Sequence, residues 1–443
     1  MSKKIENTAF VIYMGAVFVS AFAGVGGGRI LLALSLLFLS AHLIEQRRRP
    51  VMPAVGWWTL AYASWISLAI VWGPEESGEG LHKHLPWLQI PLAAMLVTTP
   101  QRLLRVFKAY AAGAGVLAAR VFYETLSTSI QSCREGLSIN CSGWAAKVFQ
   151  HQNLDDSDII ARLVDQGGMQ DGQRLVVGLL AIAACLYIMP RKTGAHRIMW
   201  ALVIPVFMAL VLTFKRGAWL ALIIVFSVAL FHAAMQTQLL SSLKHRVRRA
   251  HLLGALFVII LVLYGLVASG ITAQLQQTAD EQLHNMINAG GRTCMWVEIT
   301  PELVRRYPWG IGFKTLNSDM MRAIAPQVEK HHNHVHSNIM QSLVDGGWLG
   351  LLLFCGWMIS AFAAVLRHAG FLKHAGGFRF THDNPDQCMG YVLWLMLLAL
   401  FIMGLFEYQI GTGQIVLLYG MIMGCAAAGA QRQQKRGQRI MAS

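Results

Sequence analysis

The chain has 443 residues, 55% of them hydrophobic and only 13% charged, with a mean hydropathy of +0.48. Soluble domains carry about 25% charged residues, and a water-soluble globule of this composition would lack the polar surface to cover itself; the apolar excess also excludes disorder. A polytopic membrane protein remains, and the net charge of +15, a nucleic-acid signal in a soluble protein, must be read by location.

Crossing ~30 Å of hydrocarbon takes about 20 residues of helix. Twelve apolar runs meet that need, near 9–26, 29–45, 54–73, 85–99, 105–126, 174–190, 198–214, 217–236, 250–270, 338–366, 388–406 and 411–430. Pro86 and Pro91 shorten the fourth. Backbone polar groups in a bilayer must bond internally, so these runs are helices; a membrane β-barrel would alternate in shorter segments. The expected fold is all-α, a polytopic integral membrane protein of about twelve transmembrane helices.

With the N-terminus inside, segments 1–8, 45–53, 100–108, 190–197, 237–251, 367–387 and 431–443 hold 22 of the 37 bases against 4 acids, a balance of +18 that leaves −3 outside. The positive-inside rule then places both termini in the cytoplasm. The basic residues are scattered over seven short segments, which sets a nucleic-acid partner aside. The first run lacks a cleavage site followed by a soluble domain and reads as a retained helix.

The chain divides into helices one to five (1–126), a first outer segment (127–173), helices six to nine (174–270), a large outer segment (271–337), helices ten to twelve (338–430) and a basic tail (431–443). Long connections are usually functional. The second outer segment contains helical stretches at 274–288 and 292–306 and reads as a small helical cap. Cys185, Cys355 and Cys425 lie in apolar runs and read as small core residues, with Cys388 at the cytoplasmic edge. Cys133 and Cys141 share the first outer segment, where an oxidising compartment permits a disulfide. Gly24–Gly28 reads as a short turn between helices, and Asp155, Asp156 and Asp158 as a solvated acidic loop.

Polar chemistry concentrates on the outer side. Lys215 and Arg216 stand between two apolar runs. Cations so close to hydrocarbon are costly unless something anionic meets them. Snorkelling toward headgroups is the plainer explanation, but outer cations run against the positive-inside bias. A lipid-linked phosphate explains both, since arginine forks onto phosphate oxygens and lysine serves as a point charge. Arg292 follows paired glycines at 290 and 291 and is placed in a first helical turn, where free N–H groups also attract anions. His331, His332, His334 and His336 precede the tenth run. Their spacing is not that of a zinc site, so no metal is expected, and one working imidazole is the alternative, able to accept a proton near neutral pH. Arg174 opens the sixth run in a position similar to that of Arg216, and Asp345 lies two turns into the tenth.

Together these positions resemble the O-antigen ligase family, within the group of O-antigen polymerases and bacterial O-oligosaccharyltransferases. His336-Ser337, nine residues, Gly347, two residues, Gly350 follow the family pattern around its working histidine. Arg216-Gly217 is similar to the arginine after the seventh span, Gly291-Arg292 with Trp296 to a second motif, and Pro308–Gly312 to a Pro-x-Gly-x-Gly run. The motifs cover residues 200–366; elsewhere the likeness is hydropathy and span count. The resemblance implies a GT-C-like arrangement. It also implies an inverting transfer of glycan from undecaprenyl diphosphate to lipid A-core oligosaccharide, on the periplasmic face of a Gram-negative inner membrane. His336 would be the base, Arg216 and Arg292 would neutralise the leaving diphosphate, and Lys215, Arg174 and His334 would bind diphosphate or acceptor. Asp345 would hold an arginine or a histidine in place. No cofactor and no metal are implied. The rivals are a polymerase or protein-directed transferase using the same donor, and a lipid-linked-sugar flippase. A flippase should carry cations inside its helices, whereas these runs are nearly uncharged.

Overall fold

The computed structural model describes residues 2–23, 25–47, 52–74, 81–134, 159–213, 215–236, 292, 295–326, 333–371 and 384–442. Among them every regular element is helical. In chain order these are α1 (Ser2–Phe22), α2 (Val25–Glu45), α3 (Ala54–Leu68), α4 (Gln89–Leu96), α5 (Pro100–Arg134), α6 (Ile159–Ile188), α7 (Gly194–Leu212), α8 (Arg216–Gln236), α9 (Thr300–Arg306), α10 (Ser318–Ile324), α11 (Asn338–Ala369), α12 (Pro385–Phe406) and α13 (Gly413–Ala442). Among the described residues eight helices are long and apolar enough to cross a membrane. The chain is therefore an all-α polytopic membrane protein. Eleven of the twelve apolar runs coincide with helices; the run at 250–270 and the stretch at 274–288 lie outside the described residues.

α13 is the central helix, packed on α4, α11 and α12 and touching α1 and α6. On one side α1 pairs with α2 and α5, and α5 with α6 and α7; on the other α11 packs on α3 and α12, and α12 reaches α8. The outer helices turn large apolar residues outward, including Ile30, Leu37 and Ile44 of α2 and Ile198 and Ile204 of α7. A helix apolar on all sides yet exposed on one is at home only in lipid.

Several boundaries differ from the sequence reading. The fourth apolar run is a 3-10 segment (Leu81–Leu88) followed by the eight-residue α4. Pro86 cannot donate to a helical ladder, and the short piece is instead held by Trp87 edge-on to Trp357 at 4.7 Å. α5 extends to Arg134 and α6 begins at Ile159, so helix reaches from both ends into the segment read as a long loop. α2 starts at Val25, which places Gly26–Gly28 inside a helix rather than in a turn. Cys355 faces outward from the bundle instead of into it, whereas Cys185, Cys388 and Cys425 are buried. The Cys133–Cys141 pairing rests on side chains outside the described set, as does Asp155–Asp158.

A second hydrophobic cluster sits against the end of the bundle where α11 begins. Met295, Ile299, Leu303, Ile311, Leu316, Met321, Val335 and Val344 form it. α9, α10 and the segment 307–317 are thereby fixed over the helix ends.

Candidate functional site

The site is built around a break in α11. Gly347 has φ 62 and ψ −159, so the helix ends at residue 346 and restarts. Such angles are open essentially to glycine alone. The carbonyls freed by the break are taken by other segments. Ile311 N donates to Val344 O at 3.0 Å, Gly312 N to Asp345 O at 2.9 Å, and Trp65 Nε1 to Gly346 O at 2.7 Å. Gly310 and Gly312 both adopt φ 93, and a Cβ at Gly310 would lie 2.4 Å from the Asp345 carbonyl. Two glycine motifs thirty-odd residues apart are thus two sides of one backbone-to-backbone contact.

The break fixes the turn ahead of it, which carries His336. Val335 N donates to Gln341 Oε1 at 2.9 Å, and Trp296 Nε1 donates to Val335 O at 2.7 Å. Ser337 caps the helix by accepting from Met340 N, and Asn338 Oδ1 accepts from Gln409 N at 2.7 Å, which ties in the α12–α13 connection. Held on both sides, His336 adopts φ 50, a conformation uncommon for residues other than glycine. Its side chain is 7% exposed, with Nδ1 3.6 Å from Glu407 Oε2. Arg292 Nη2 donates to the other oxygen, Glu407 Oε1, at 2.6 Å.

Glu407 therefore joins two residues chosen from sequence. Burial pushes its carboxyl up, but His336 and Arg292 together outweigh this and hold it below the ordinary glutamate value. It stays ionised and presents a fixed negative charge to both. Sequence reading missed it: Glu407 follows an apolar run, about seventy residues from His336, with no motif around it. The available signal was a lone acid at a helix end on the same side as the histidines.

His334 lies beside His336, ring centroids 4.3 Å apart, and 5.7 Å from the Tyr408 ring. Asp345, expected to hold an arginine or histidine, is fully buried and accepts instead from Gln341 Nε2 at 2.7 Å and Tyr408 OH at 3.2 Å. It props the two residues that flank the histidines. His331 and His332 lie outside the described residues.

Arg174, expected to reach the same anion as Arg216, is enclosed at 2% exposure. It pairs with Asp171 and donates to Ala23 O at 3.2 Å. Arg120 Nη2 meets the other Asp171 oxygen at 2.8 Å and Arg120 Nη1 donates to Phe22 O at 2.9 Å. Both arginines thus satisfy carbonyls left open at the end of α1. Lys215 precedes α8, with its Cβ close against Gly172 of α6; Arg216 opens that helix, and its side chain is outside the described set.

Beside the histidines lies a cavity of about 690 Å³. Arg29, Gln170, Lys314, His334 and Tyr408 are among its lining residues. Gln170 lies two residues along α6 from Gly172, the residue next to Lys215. The arrangement offers a candidate proton acceptor, an ionised carboxylate behind it, and cations on the open side.

Residues 200–355 match a family model described as O-antigen ligase. The matched stretch includes Lys215, Arg216, Arg292, His336 and the glycine contact, but neither Glu407 nor Arg29. Comparison of the chain with curated proteins finds no match.

Proposed function

The chain is a member of the O-antigen ligase/polymerase family, and from that premise we propose that it is an inverting glycosyltransferase that moves O-antigen glycan from undecaprenyl diphosphate to lipid A-core oligosaccharide. The observation that carries this reading is His336 backed by Glu407, next to a cation-lined cavity at one end of a membrane bundle. The acceptor hydroxyl attacks the anomeric carbon, the new C–O bond forms, and the bond to the diphosphate oxygen breaks. The hydroxyl proton passes to the imidazole of His336, and Glu407 stabilises the imidazolium through Nδ1. The departing diphosphate needs neutralisation more than a proton; Arg216, Arg292 and Lys215 supply it. Arg292 spends one of its five N–H donors on Glu407. Activation resides in the lipid diphosphate, so the mechanism calls for neither nucleotide nor metal. His334, its ring 4.3 Å from that of His336, orients the acceptor.

The positive-inside balance supports cytoplasmic termini and a site on the outer side; the proposed donor and acceptor make that the periplasmic face of a Gram-negative inner membrane. A polymerase or a protein-directed transferase would use the same donor and the same base. Purified protein, given defined lipid-linked glycan with lipid A-core, a second lipid-linked glycan or a peptide as acceptor, separates the three. Transfer to lipid A-core in the presence of chelator is expected. Product only on another acceptor, or none without metal, would overturn the proposal in this form.

A further inference from the structure

The cavity beside His334 has two cations in its lining. Arg29 comes from α2 and Lys314 from the segment between α9 and α10, and both line the same 690 Å³ volume. Gln170, Asn317, Asn333, His334, Tyr408 and Thr412 add polar groups, and no aspartate or glutamate is among the described lining residues. Arg29 stands in the second turn of an otherwise apolar helix. Its Nε is buried and meets no hydrogen-bond partner among the described residues. An arginine at such a depth is costly unless an anion meets it, and a buried donor left unmade costs more than a formed bond returns. Lys314 sits at φ 56, one of three residues other than glycine with positive φ among those described, and His336 is another. Uncommon backbone conformations of this kind cluster at ligand sites.

We infer that this cavity is a phosphate subsite, in which Arg29 and Lys314 grip a phosphate group carried by a sugar. Two cations from separate elements suit the two negative charges of a phosphate. The volume lies in the range of about 300–1,000 Å³ that holds a small organic ligand, room for a phosphate with its sugar. His334 links the subsite to His336, so the sugar held there is presented to the base. The carrier is either the acceptor, as a phosphorylated core sugar, or the donor diphosphate. Only the carrier's identity rests on the transferase proposal; the anion does not.

Binding of glucose 6-phosphate to the full-length protein in detergent, followed by calorimetry, tests the subsite directly. Arg29→Gln and Lys314→Asn should each weaken it roughly tenfold, about the loss of one charge-assisted contact. Asparagine tolerates the backbone at position 314, and Arg29→Lys should retain part of the affinity, so loss of fold is separable from loss of contact. Arg322→Gln, on an exposed helix face, should change nothing. Equal binding of glucuronate or of uncharged glucose, or binding indifferent to both cation variants, overturns the inference. Transfer kinetics then identify the carrier. A raised KM in Arg29→Gln for phosphorylated acceptor but not for phosphatase-treated acceptor points to the acceptor. A raised KM for the donor with either acceptor points to the diphosphate. Neither KM moving, in a variant that transfers, counts against the subsite. A wild-type protein that binds the sugar phosphate yet transfers nothing contradicts the proposed reaction and leaves the subsite standing.

Discussion

Two groupings of histidine, carboxylate and arginine stand at opposite ends of the bundle, and only one is open. At one end His368 Nε2 lies 3.0 Å from Asp386 Oδ1, and Arg432 grips both Asp386 oxygens at 2.6 and 3.2 Å. Arg432 Nη1 also donates to Val97 O at 2.6 Å, which closes the short α4. The His368 ring is fully enclosed, and a Cβ added at Gly429 would lie 2.2 Å from it. At the other end His336, Glu407 and Arg292 form the same set, but His336 turns on a left-handed backbone and Arg292 is 42% exposed. The side chains are alike in kind. Access and backbone conformation separate a staple between α4, α11, α12 and α13 from a site that can meet a ligand.

The largest effect is expected where the enclosed set is broken. Asp386→Asn leaves Arg432 without its countercharge in a half-buried place, a loss of about 3–5 kcal/mol. Thermal unfolding in detergent should fall markedly, while transfer per folded molecule holds. Next comes the open set's scaffold. Alanine at Gly347 would put its Cβ 2.0 Å from the Pro308 carbonyl in a backbone region reserved for glycine. That should cost about 1–3 kcal/mol from conformation alone and displace His336, so both stability and transfer should drop. Alanine at Gly194, which has nothing within 4 Å, should leave both intact. Both substitutions being silent would remove the contrast between motif and filler glycines.

Glu407→Gln should act on rate more than on fold. Transfer should fall about tenfold in kcat with little change in KM, because a second group that orients a base is commonly worth that much. Glu407→Asp should recover part of it. A purely structural Glu407 would instead show a lowered melting temperature and an unchanged kcat. The smallest effect is in acid. The Glu407 carboxyl is held below its ordinary value of 4.5 by His336 and Arg292. Its contribution to stability is therefore present above that value and lost as pH falls through the lower folded one. As pH falls below 4.5 the wild-type melting temperature should decline more steeply than that of Glu407→Gln; parallel curves would dissociate Glu407 from the pair.

The helices were legible because hydropathy in a membrane follows directly from lipid as solvent. Lys215 was singled out for the converse reason, as a cation placed where the bilayer makes it costly, Arg292 as an arginine behind paired glycines, and His334 and His336 as members of a histidine cluster. Arg174 answered to the same signal as Lys215 but proved to be occupied by Asp171 and the end of α1, a distinction that depends on a neighbour 150 residues away in sequence. Glu407 and Arg29 escaped notice because each stands alone in its segment and acquires meaning only when α12 and α2 are brought beside the histidine turn. The break at Gly347 was hidden inside an uninterrupted apolar run, since what marks it is a contact with residues 308–312 rather than any polarity of its own.

The most direct test of His336 as the base compares glycan transfer by His336→Ala and His368→Ala, each purified at matched folded concentration. His336→Ala should lose about 10²–10⁴-fold in transfer, the usual worth of general-base catalysis, with a melting temperature near that of wild type. His368→Ala should lose stability and keep its rate per folded molecule. Transfer by His336→Ala within about twofold of wild type, well under the general-base range, would contradict the assignment.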